Sequence, residues 1–178
     1  MVDSGVYEYE SPAGFWVETM ARLAYTCARV PMADPPGTGD LLDRLACTVR
    51  YVRVGVAAGD AEIVIGTPPG AACDICQYAH LLEDQSPEML SIACARACAK
   101  YVAWVSNEDF ARVERLLRPV TLAIAMPETS FRREMVEMSV PELARAYVVR
   151  PEHVLERMRM IRGAHDSTER PAFTSAAT

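Results

Sequence analysis

Cys73-Asp74-Ile75-Cys76 and Cys94-Ala95-Arg96-Ala97-Cys98 are the residues of this chain best spaced for chemistry. A C-x2-C followed by a C-x3-C is close to the ligand spacing of structural zinc sites, where thiolates fill a tetrahedral shell. Cys94 and Cys98 stand four apart, so on a helix both would point to one side. Cys73, Cys76, Cys94 and Cys98 are therefore a candidate zinc cage. The plainer reading makes them, with Cys27 and Cys47, reduced thiols packed as small hydrophobes. The histidines exclude another chemistry. There are three, His80, His153 and His165, and no two stand four apart. The paired histidines of a His-Glu-x-x-His metallopeptidase helix cannot be built from them. Pro35-Pro36-Gly37-Thr38-Gly39-Asp40 has the look of a phosphate loop, but Asp40 stands where a lysine would meet phosphate, so it reads as a plain loop.

The elements that would position these residues follow from punctuation and periodicity. Ser11-Pro12 is a helix start, followed by Phe15, Trp16, Met20, Leu23, Ala24 and Cys27 at helical spacing. Residues 31–39 break the chain, and a short helix spans Asp40 to Ala46. Thr48 to Val54 alternates like a half-buried strand, a turn follows at residues 57–60, and Glu62 to Ile65 completes a hairpin. Asp74 to Leu82 reads as a third strand or an irregular connection. Ser86-Pro87-Glu88 opens a helix reaching about Val105, and a further helix carries Phe110, Val113, Leu117, Val120 and Ile124 around Pro119. Ser139-Val140-Pro141-Glu142 is a capping box, and Pro151 opens a last helix to about Arg162. The expected class is α+β, a small antiparallel sheet of two or three strands packed with a mostly helical bundle. One domain covers residues 11–162, between a flexible lead-in at 1–10 and a disordered tail at 163–178.

Bulk properties narrow the function classes. The 178 residues suit one domain with a real core, and 51% apolar with 24% charged residues is ordinary for a globular protein. The net charge of −6 disfavours broad nucleic-acid binding. No apolar stretch reaches membrane-spanning length, and no leader is visible, so a cytoplasmic protein without membrane partners is expected.

The segment Glu114 to Ile161 carries the most ordered pattern. It contains Glu114-x-x-Leu117-x-x-Val120-Thr121, an apolar run ending in Met126-Pro127, then Phe131. Ser139-Val-Pro-Glu-Leu143-Ala144-Arg-Ala-Tyr147-Val-Val149 and Val154-Leu-Glu-Arg157-Met158 complete it. This ordered set resembles the ImmA/IrrE family of zinc metallopeptidases, well over residues 114–161 and loosely over 40–161. The resemblance implies a zincin-like bundle. In that family the preceding helix carries His-Glu-x-x-His. Two histidines and a later glutamate hold zinc, and the motif's glutamate acts as general base on metal-bound water. Laid over this chain, the motif falls on Arg96-Ala97-Cys98-Ala99-Lys100, or in a second register on Cys94 to Cys98. Both registers put alanine at the general base. Glu114 alone matches a family residue, the third metal ligand, and Arg96 and Lys100 would set fixed positive charge beside it.

The resemblance thus implies a degenerate bacterial member with no catalytic residue and no cofactor. Such a pseudopeptidase would bind a repressor or regulator protein in stress or mobile-element control without cutting it. Three alternatives stand beside it. One is an interaction module stabilised by zinc on the four cysteines. Another is a helix-turn-helix DNA-binding regulator, with Arg157, Arg159 and Arg162 meeting phosphate behind Glu152 and Glu156. The last is an active metallopeptidase with atypical ligands.

Overall fold

The computed structural model describes residues 12–46, 51–57, 60–66, 86–108 and 110–168. In chain order the elements are α1 (Pro12–Ala28), α2 (Thr38–Ala46), β1 (Tyr51–Ala57), β2 (Asp60–Gly66) and α3 (Pro87–Val105). They continue with α4 (Phe110–Ala125), α5 (Glu128–Glu137), α6 (Val140–Ala146) and α7 (Pro151–Thr168). The expected α+β class is overturned: among the described residues the body is almost entirely helical, with seven helices. The physical reason lies in what covers each apolar stripe. Successive helices bury their apolar sides on one another, which makes helix-on-helix layers. Among the described residues β1 and β2 pair only with each other, from Tyr51 opposite Gly66 to Ala57 opposite Asp60, and lie along α3 through β2. A two-stranded ribbon does not amount to a sheet layer. The expected third strand at Asp74 to Leu82 lies outside the described residues, as do the lead-in at 1–10 and the chain beyond Thr168. α7 continues past Arg162 to Thr168, so the boundary expected at residue 163 falls inside a helix.

The centre is α3, which packs against α1, α2, α4 and β2. Its small residues make this possible: Ala93, Cys94, Ala95, Ala97, Cys98 and Ala99 are all buried, so neighbouring backbones approach on several sides. α2 supplies Leu41, Leu42 and Leu45 to the same core, and α4 supplies Leu122, Ala123 and Ile124. Tyr25 of α1 reaches across the interior and donates its hydroxyl to the Ile124 carbonyl at 2.8 Å. Arg112 of α4 stacks 4.7 Å over the Trp16 ring of α1.

Three helices stop by the same device. After α1, α3 and α6 the chain enters the left-handed region at Arg29 (φ 57°), Asn107 (φ 54°) and Val148 (φ 51°). In each case two backbone amides fold back on the last turn, as when Val30 donates to Tyr25 and Arg29 to Thr26. These are Schellman endings, normally given to glycine. Asparagine tolerates the conformation, whereas β-branched Val148 is strained there.

Arg157 joins the two ends of the chain. Its side chain is fully buried on α7, and Nη1 donates to Glu18 Oε1 of α1 at 2.6 Å. Nε donates to the Met126 carbonyl, just past α4, at 3.0 Å. Removing one partner of a buried pair strands the other charge, at about 3–5 kcal/mol. Arg157→Ala should therefore lower unfolding stability by about 3 kcal/mol or more in urea titrations. The double change Glu18→Leu with Arg157→Met should cost clearly less than either single charge removal. Equal losses in all three would rule out a stranded charge as the cause.

His153 of α7 adds a pH dependence. Burial lowers its pKa, and the Arg118 guanidinium lowers it further. A depressed histidine is neutral in the fold while the unfolded chain takes up the proton below its ordinary value of about 6.5. Stability should fall as pH drops below about 6.5, and His153→Asn should flatten that slope. Glu88 and Glu142, held low by hydrogen bonds at helix starts, add their own loss only below the ordinary carboxylate range.

Candidate binding groove

Four parts of the chain enclose a cavity of about 450 Å³. They are the loop into α2 (residues 34–39), the first two turns of α3, the ends of α4 and α6, and one side of α5. Pro35 and Pro36 keep the loop out of helix until Thr38 starts α2. Thr38 is buried, and its Oγ1 lies 2.9 Å from the Ser91 carbonyl and 3.1 Å from Ser91 Oγ on α3. Ser91 Oγ in turn faces the Tyr147 carbonyl at 3.5 Å. This chain of contacts fixes the loop and the α6 end on either side of α3.

Tyr147 forms the opposite wall. Its ring lies 5.7 Å from that of Phe131, centroid to centroid, and its hydroxyl donates to Ser130 Oγ at 3.0 Å. Burial pushes its pKa up, so it remains a neutral phenol. The charged residues of the lining are Asp34 and Glu134, both acidic. Arg133 stands just outside, 3.2 Å from Glu134 Oε1, and donates to the Ala33 carbonyl at 3.4 Å. Val148, the strained residue, sits at the edge.

The residues matched to the peptidase motif are placed differently. Ala95 and Ala97, the two general-base positions, have no exposed surface within α3. Arg96 and Lys100 are half-buried on the more open side of that helix, and Glu114 is exposed on α4. The described ion pairs are Arg118–Glu156, Arg132–Glu128, Arg133–Glu134 and Arg157–Glu18. Cys94 and Cys98 are both buried on α3, and Cys94 reaches the groove floor. Burial, with Cys94 next to it, pushes the Cys98 thiol well up. Cys73 and Cys76 lie outside the described residues. Among the described residues no three His, Cys, Asp or Glu side chains are grouped to hold a metal.

Of the three arginines in the helix-turn-helix expectation, Arg157 is buried and paired with Glu18. Glu156 is held by a two-point contact to Arg118, with Nε at 2.8 Å from Oε1. Arg159 and Arg162 are exposed. No helix among the described residues is long and apolar enough to cross a membrane.

Sequence reasoning missed the groove. Its signals were present: the proline pair at 35–36 before a threonine, and the Val148-Val149 turn. Each reads locally as a connection, and only packing brings them together. Comparison with family models, curated proteins and solved structures finds no match for this chain.

The strain at the groove edge can be measured. Val148→Gly should raise unfolding stability by about 1 kcal/mol, because glycine carries no left-handed penalty. A loss of stability in urea titrations would mean that contacts of the valine side chain outweigh the strain.

Proposed function

We propose that this chain is a non-catalytic, partner-binding module on a peptidase-like helical frame, acting on a repressor or regulator protein. The observation that carries this reading is the state of α3. The positions that would hold the general base, Ala95 and Ala97, are packed without solvent access, while a groove opens on the same helix beside Cys94. A base must reach water or substrate within hydrogen-bond distance, and a buried methyl group does neither. Glu114, the one residue matched in kind, lies exposed on α4. Around the groove the polar groups are engaged in holding its walls, as Thr38 and Ser91 do, which suits recognition more than turnover. The burial of Arg157 on Glu18 and the acidic net charge weigh against the DNA-binding alternative.

The test uses a purified repressor protein as probe, with and without added zinc. Binding by calorimetry should persist in chelator, and the repressor should stay full-length on incubation with zinc. Zinc-dependent cleavage would overturn the proposal, and so would a failure to bind.

A further inference from the structure

The groove has a chemistry of its own that points to what enters it. Its interior is lined by small or apolar groups, including Leu90, Cys94 and Ala125. Asp34 and Glu134 are the charged residues of the lining, which contains no lysine or arginine. A largely apolar groove that also carries two carboxylates suits a side chain with an alkyl stem and a cationic head. Arginine and lysine have that form, burying the stem while the head meets oxygen acceptors. Arg133 already shows how a guanidinium sits here, between Glu134 Oε1 and the Ala33 carbonyl. That pair is exposed on the arginine side, 61% accessible, so its contribution is small and an incoming cation can replace or share it.

From this complementarity we infer that the groove receives an arginine-bearing, extended segment of a protein partner, with the guanidinium between Asp34 and Glu134. The inference rests on the reading of the chain as a partner-binding module, and it names the chemistry of what that module recognises. The whole-chain charge of −6 supports the same preference by favouring encounter with basic surfaces.

The experiment is an amide NMR titration of the full chain with three blocked tripeptides at millimolar concentration: acetyl-Ala-Arg-Ala-amide, acetyl-Ala-Glu-Ala-amide and acetyl-Ala-Leu-Ala-amide. The arginine peptide should give saturable shifts at Gly37, Gly39 and Val148, the glutamate peptide should not, and added salt should weaken the effect. Asp34→Asn with Glu134→Gln should weaken arginine-peptide binding about tenfold, with Glu128→Gln on the same α5 helix as the neutral control. Melting curves establish that each variant is folded. Equal shifts from the arginine and glutamate peptides would overturn the inference, as would no shift from any of them or an unchanged double variant. A chain that binds the repressor equally well with and without Asp34 and Glu134 would sink this inference alone. Cleavage of the repressor would instead sink the functional reading beneath it.

Discussion

A buried arginine is expensive to hold, and the arrangement of this bundle turns on how Arg157 is held. Taking a guanidinium and a carboxylate out of water costs several kcal/mol for each ion, recovered only through short contacts and filled hydrogen-bonding positions. Here the contacts come from two places far apart in sequence, Glu18 on α1 and the Met126 carbonyl beyond α4. If α7 docks elsewhere, the charge is stranded, which disfavours alternative packings of that helix. α1, the α4–α5 junction and α7 meet at that point. The Tyr25 hydroxyl, bonded to the Ile124 carbonyl close by, closes a second link between α1 and the end of α4.

That docking has consequences for the groove. The end of α4 supplies its floor at Ala125, one residue before Met126, and the turn between α6 and α7 supplies its edge at Val148. The Arg157 clamp therefore sets the separation of two groove walls. Thr38, Ser91 and the Tyr147 carbonyl set the third side by direct contact. A groove held from several elements is largely pre-formed, which lowers the ordering cost of binding. Val148 keeps a left-handed backbone that its side chain disfavours, and strain of this kind persists only where surrounding structure imposes it.

Much of the helical order was legible in the residues. Ser86-Pro87-Glu88 starts α3, with Ser86 Oγ accepting the Met89 amide at 3.3 Å. Ser139 and Glu142 start α6 through the Ser139 amide and the Glu142 carboxylate at 2.8 Å. Such local hydrogen bonds depend on residues three apart, which a sequence displays directly. The class was misjudged because alternation at residues 48–65 predicts strands but not that, among the described residues, they form only a two-stranded ribbon beside seven helices. Arg157 was misread for a related reason. An arginine on an amphipathic helix looks solvent-facing until a carboxylate on a distant helix is known to face it. Glu18 gave no such sign, lying 139 residues away. The groove was hidden in the same way, since its walls come from loops that look like connections.

The most direct measurement is hydrogen-exchange mass spectrometry of the chain mixed with a purified repressor protein and zinc, because one spectrum reads both footprint and cleavage. Binding at the groove without catalysis predicts slowed exchange at residues 34–39 and 146–150, with the repressor mass unchanged. Protection confined to other surfaces, or repressor fragments that grow with added zinc, would contradict it.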